Sequence, residues 1–207
     1  MNILVLSAHP DDLELMAGGS VATWIKAKHR VYGLTLTNGS WRSPAGEVVR
    51  QAHDALAEEK KAANLLGYAV ENLNEQAMDL KWEDRWVGDV LNRIERYSID
   101  TIVCPFEGDI HHDHAVLSRI AASASRRIPR LLMGQINWYL HHHFTPNIYV
   151  DITDVWEQKI AALKCYEGEW ARAGKEWLPW LDETTRGFGR IMGVGRAEGF
   201  VSRKFLW

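Results

Sequence analysis

Two short stretches hold the residue types that could do chemistry. The first, SAHPDDLE at 7–14, sets His9, Asp11 and Asp12 directly behind an apolar run, ILVLSA. The second, EGDIHHDH at 107–114, sets His111, His112, Asp113 and His114 behind DTIVCPF. His9 and Asp12 are three apart at a strand-to-helix corner, so both side chains can face one pocket. His111 and His114 share that spacing in a loop or first helical turn. Imidazole and carboxylate together suit a divalent metal, and two histidines with one carboxylate leave coordination positions open, as a catalytic zinc requires. Asp11 is then a carboxylate near the metal but not bound to it, where a general base must stand to take a proton from activated water. Each stretch also has a plainer reading. Proline fixes φ and aspartate caps helices, which makes HPDD a capped turn and HHDH a solvated loop. Two such stretches, each behind a buried strand, favour the metal.

The surrounding pattern says how they meet. Strands are expected at 2–8, 31–37, 68–73 and 100–106, and helices at 18–29, 49–66, 84–97 and 114–127, with Gly67 ending the second helix. Strands alternating with helices predict an α/β, Rossmann-like layered fold with a largely parallel sheet flanked by helices. Ligands of such sheets bind at the carboxyl ends of strands, which puts both polar stretches on one edge. The sequence from Arg186 to the C terminus, RGFGRIMGVGRAEGFVSRKFLW, lacks a phosphate-loop pattern. It is expected to form a β-hairpin or loop over the rim of the site, with Arg186 or Arg190 near an anionic leaving group. The run His141–His143 reads either as lining for the mouth of the pocket or as an exposed polar run before Thr145, the second being favoured.

With 207 residues, 46% of them hydrophobic, and no linker or repeat, the chain reads as one domain over 1–207. A net charge of −3 gives no support for a nucleic-acid surface. No stretch is long and apolar enough for a membrane span, and the N terminus lacks the pattern of a leader. Cys104 and Cys165 lie in apolar surroundings and read as buried and reduced, which suggests a cytoplasmic protein. Ten tryptophans, among them Trp138, Trp177 and Trp207, suit a core edge, a sugar-stacking wall or an interface in a homo-oligomer.

Together, AHPDDLE and HHDH resemble the LmbE-like, or PIG-L, family of metal-dependent de-N-acetylases. AGG at 17–19, AANLLG ending a helix, YVDIT followed by KIAALKCY, and AEGF resemble further landmarks of that family, so the likeness runs over nearly the whole chain. The resemblance implies His9, Asp12 and His114 as ligands of one divalent metal, zinc by preference with iron(II) suited to the same donors. It implies Asp11 as general base, and a protonated His111 as the group that stabilises the oxyanion or protonates the leaving amine. Asp113 would stand behind a histidine and hold its tautomer. Glu14 would support the loop, and His112 stands where many relatives carry proline.

The implied reaction is removal of an acetyl group from an N-acetylated amino sugar or its conjugate by metal-activated water. Rivals are hydrolysis of a non-sugar amide and a non-catalytic module that binds a glycan or nucleotide sugar. A two-metal phosphoesterase wants more bridging carboxylates than these loops hold. One position departs from the family pattern. Relatives often carry a substrate-gripping arginine a few residues before the glutamate of the AA-x-LLG helix; if Glu58 is that glutamate, this chain has Ala55 three residues earlier. Arg42 and Arg50 are the candidates to replace it.

Overall fold

A computed structural model describes residues 1–206; Trp207 lies outside the described residues. The chain runs β1 (Asn2–Ser7), α1 (Asp12–Lys26), β2 (Arg30–Thr37), β3 (Trp41–Arg42), β4 (Val48–Arg50), α2 (Ala52–Leu66), β5 (Ala69–Glu75) and α3 (Asp84–Tyr97). It continues with β6 (Thr101–Pro105), α4 (His112–Ala124), β7 (Arg130–Gly134), β8 (Ile148–Asp151), α5 (Trp156–Leu163), α6 (Glu167–Met192) and β9 (Ala197–Phe205). Seven strands form one sheet in the order β5-β2-β1-β6-β7-β9-β8, and β3 and β4 make a separate small hairpin. From β5 to β7 every pairing is parallel, while β9 runs antiparallel to both β7 and β8. The predicted α/β architecture with a mostly parallel sheet is the observed one.

The central strands β1, β6 and β7 are buried on both faces, which is why they read as continuous apolar runs rather than alternating ones. Along β1, Ile3 and Val5 pack with α1, α2 and α5, whereas Leu4 and Leu6 pack with α3 and α4. β1 lies between β2 and β6, so the chain turns opposite ways from neighbouring strands there. That reversal opens a crevice at the carboxyl ends of β1 and β6, and these ends carry the two polar stretches.

Several boundaries differ from the sequence reading. Helix α1 begins at Asp12, not at 18, and carries Gly18 and Gly19 inside it. A Cβ on Gly19 would stand 2.8 Å from the Ile152 side chain, so the glycine is there for close packing. Val48–Arg50 is strand rather than helix, because it pairs with Trp41–Arg42 across a turn. Helix α4 starts two residues early, at His112.

The largest correction concerns the C-terminal segment. Arg186 and Arg190 lie within the 26-residue helix α6, and AEGF opens a strand inside the main sheet, not a hairpin over a rim. Glycines hid that helix, yet at Gly189 a Cβ would stand 2.8 Å from the backbone of Arg196. Packing overrode propensity there. Arg186 pairs instead with Asp182 on its own helix, at 3.0 Å. Cys104 is buried, but Cys165 is only half-buried. Among the described residues, no helix is long and apolar enough to cross a membrane.

Candidate metal centre

Because β1 and β6 are hydrogen-bonded neighbours, the loops behind them meet. His9, Asp11 and Asp12 come from the first, and His111 and His114 from the start of α4; all five line one cavity of about 380 Å³. Asp12 shapes its own corner, its Oδ2 accepting the N–H groups of Ala8 at 2.9 Å and His9 at 2.8 Å. One donor atom from each of His9, His111 and His114 lies within 4.8 Å of the others.

The spacing within this group suits a metal. His9 Nδ1 and His114 Nε2 are 3.3 Å apart, Asp12 Oδ1 is 3.2 Å from His114 Nε2, and Asp12 Oδ2 is 3.4 Å from His9 Nδ1. Metal–ligand bonds of about 2.0–2.1 Å in a tetrahedron place neighbouring donors roughly 3.3 Å apart. The outward nitrogens are held as well. His9 Nε2 lies 2.9 Å from Asp113 Oδ2, and His114 Nδ1 lies 2.8 Å from Asp109 Oδ2. A carboxylate behind each imidazole orients the ring and strengthens its free nitrogen as a donor, so these residues fit a divalent cation.

Sequence reasoning misses Asp109, although it stands in the same polar loop. The available signal is chemical: a second histidine ligand needs a second carboxylate behind it, and Asp109 is five residues from His114. Asp109 is 2% exposed, and its other oxygen accepts the His111 N–H at 2.8 Å. Asp113 sits where it is expected, behind a histidine, and also accepts the N–H groups of Met78 and Leu80. His112 donates to the Leu80 carbonyl at 2.8 Å and so pins the same neighbouring loop.

The charges of these groups are set by their neighbours. Burial opposes charge on His9 and His114, but Asp12 with Asp113 raises the first to about 9, and Asp12 with Asp109 raises the second to about 10. Burial also works against the Asp12 carboxylate, yet the two imidazoles hold it well below its ordinary value. His111 is pushed down to about 4 by burial and by its two histidine neighbours. Its Nδ1 accepts the Asp113 N–H, which leaves the ring neutral with its proton on Nε2, not protonated as the family resemblance implies.

Asp11 occupies a strained position, with φ of 104° immediately before α1. Burial lifts its pKa to about 8, against the pull of Arg50. Arg50 reaches it from β4, donating to Asp11 Oδ2 at 3.3 Å and, through its other terminal nitrogen, to Glu58 Oε2 at 3.1 Å. Ala55 is fully buried beneath, so the guanidinium beside Glu58 comes from the hairpin rather than from α2. Arg42 is exposed, donates to the Gly46 carbonyl and does not line the histidine cavity.

Trp41, Trp138, Tyr139 and Trp177 wall the cavity, so part of the tryptophan load is spent here; Trp24, Trp86 and Trp156 are core. His141, His142 and His143 are exposed, as their polar setting predicts. Glu14 is sealed from solvent between the hydroxyls of Tyr68 and Tyr166, at 2.6 and 2.8 Å, and supports α1 from behind.

Known proteins share this arrangement of elements. A diacetylchitobiose deacetylase of Thermococcus kodakarensis is 28% identical over 229 aligned positions, covering 99% of this chain and 84% of that one. A conserved protein of Thermus thermophilus superposes with a TM-score of 0.84 at 26% identity, over 100% of this chain and 96% of the other. An N,N'-diacetylchitobiose deacetylase from Pyrococcus horikoshii, crystallised with an inhibitor, gives 0.82 at 22% identity, over 98% and 84% of the two chains. Residues 4–125, which carry both polar loops from β1 to the end of α4, match the PIG-L family, described as GlcNAc-PI de-N-acetylase. With more than half its length matched and both loops inside the match, this chain belongs to the PIG-L family.

Proposed function

We propose that this chain is a metal-dependent hydrolase, one domain over 1–207, that removes the acetyl group from an N-acetylated amino sugar or sugar conjugate. The observation that carries the reading is the convergence of His9 Nδ1, His114 Nε2 and the two Asp12 oxygens at 3.2–3.4 Å, with Asp11 in the same cavity held by Arg50. His9, Asp12 and His114 would hold the metal, zinc by preference, with Asp113 and Asp109 fixing the imidazoles. When bound, such a metal polarises an amide carbonyl and lowers the pKa of water.

The chain's own groups do the rest. Asp11 takes the proton from the attacking water as the C–O bond forms. The Nε2–H of His111 donates to the developing oxyanion. As the C–N bond breaks, the proton held on Asp11 passes to the departing nitrogen, and acetate and a free amine leave. Arg50 holds the Asp11 carboxylate, and the aromatic walls receive the apolar face of a sugar ring. The two deacetylases among the similar proteins support this substrate class.

Metal analysis of untagged protein before and after chelation, with acetate release measured on N-acetylated sugars, tests the reading. About one zinc or iron per chain is expected, with acetate release that chelation abolishes and metal restores. Metal bound with no acetate from any such sugar would leave the two rivals, hydrolysis of a non-sugar amide and a binding module.

A further inference from the structure

Arg50 enters the wall of the histidine cavity from β4, half of a two-stranded hairpin that lies outside the main sheet. Such a hairpin is marginally stable by itself, so the body of the protein must fix where the guanidinium points. Its Nη1 donates to both the Pro10 carbonyl and Asp11 Oδ2, at 3.3 Å each, and so spans the peptide that leads into the strained Asp11 backbone. Its Nη2 donates to Glu58 at 3.1 Å. The Nε–H has no partner, although the side chain is only 8% exposed. Bonds along one edge of the planar group leave rotation about that edge unopposed.

An aromatic ring stops that rotation. The guanidinium carbon stands over the Tyr166 ring, 5.6 Å from its centroid, within reach of a cation–π contact that gains strength when both partners leave water. Tyr166 is fully buried at the junction of α5 and α6 and does not line the histidine cavity. Its hydroxyl donates to Glu14 Oε2 at 2.8 Å, while Glu14 Oε1 accepts the Tyr68 hydroxyl at 2.6 Å. Glu14 belongs to the first turn of α1, the helix that Asp11 precedes. The far end of the ring is therefore tied to the helix behind Asp11, and its face lies against the arginine that holds Asp11.

Resting on the activity proposed above, we infer that Tyr166 is a positioning residue for the reaction. Its ring sets the tilt of the Arg50 guanidinium, and through it the direction in which Asp11 presents its carboxylate to the attacking water. Tyr166 touches no reacting atom. A general base must lie within hydrogen-bond reach of the proton it takes, and a displacement of about 1 Å can cost on the order of 10²-fold in rate. The electron density on the face of the ring does the holding, so a ring of equal size without it should fail.

Metal-loaded full-length protein carrying Tyr166→Phe is compared with the same protein bearing mono-, di- and trifluorinated phenylalanine at that position. Fluorine barely changes the volume of the ring but withdraws charge from its face, so the series does not depend on a cavity-forming variant folding. Acetate release should fall stepwise, by about tenfold in kcat from first to last, with KM and metal content unchanged. Tyr166→Leu should lose at least as much, and Tyr166→Phe should recover most of it. In Arg50→Met protein, Tyr166→Leu should cost almost nothing further, because the ring then has no guanidinium to hold. A kcat that stays flat across the fluorinated series, losses that add in the double variant, or a loss of metal that matches the loss of activity overturns the assignment. The proton NMR signal of the Arg50 Nε–H reads the contact without turnover: an aromatic face shifts it upfield, and Tyr166→Leu should move it downfield. That movement, in protein whose metal-loaded wild type releases no acetate, upholds Tyr166 as the group that fixes Arg50 and refutes the activity; an unmoved signal overturns the contact itself.

Discussion

Lys159 and Glu198, 1% and 4% exposed in their side chains, form an ion pair of 2.5 Å against the middle of helix α1. The Glu198 carboxylate accepts the N–H groups of Gly19 and Ser20 at 3.0 and 2.6 Å, and Lys159 donates to the Leu15 carbonyl at 2.7 Å. Side chains thus bond to backbone groups that a regular helix pairs with one another, since Gly19 and Leu15 are four apart. The landmarks AGG, KIAALKCY and AEGF converge on this one buried cluster, and the helix it clamps begins with Asp12.

Removing one member of that pair strands the other charge in the core. Lys159→Met should therefore cost about 3–5 kcal/mol of unfolding free energy, read from urea denaturation. Lys159→Arg, which keeps the charge, should lose less. Equal losses in the two would show that volume rather than charge is decisive there.

Asp11 touches Arg50 and is not needed for the donor triangle. Asp11→Asn should keep the metal content of the wild type and lose about 10²–10⁴-fold in kcat for acetate release. Full turnover in that variant would remove Asp11 as the base. His114→Ala should instead lose the metal, as seen by elemental analysis.

Asp109 and Asp113 act through the rings they hold. Asp109→Ala and Asp113→Ala should each weaken the metal about 10–100-fold in a competition titration with a coloured chelator. Asn at either position still accepts a hydrogen bond and should recover part of the affinity. A metal affinity indifferent to both alanine variants would mean that the rings are held by packing alone.

Away from the site, the hydrogen bond from the Tyr97 hydroxyl, 2.6 Å from Glu71, holds that carboxyl below its ordinary value, with Arg93 adding to the effect against partial burial. A carboxyl with a depressed folded-state pKa stabilises the fold above its unfolded pKa of about 4.3, and this contribution disappears as pH falls through the lower folded value. Tyr97→Phe should lower the urea midpoint at pH 6 and narrow its gap from wild type as pH drops towards 3. A gap that stays constant with pH would assign the effect to packing against Tyr32, whose ring stacks on Tyr97 at 4.2 Å.

By itself, the sequence determined the alternation of strand and helix, the edge of the sheet that carries chemistry, and the residues His9, Asp11, Asp12, His111 and His114 that gather there. Those features are local. Apolar runs of strand length and polar residues immediately behind them appear in consecutive positions, and the ends of parallel strands then bring two such loops together. Tertiary structure alone decided that Arg50 reaches Asp11 from a hairpin 39 residues on, that Asp109 and not only Asp113 backs a histidine, and that Lys159 and Glu198 lock helix α1. It also made one long helix of a glycine-bearing segment. Partners far apart in the chain leave no periodic trace, and a glycine chosen for close approach looks, in sequence, like a glycine chosen for a turn.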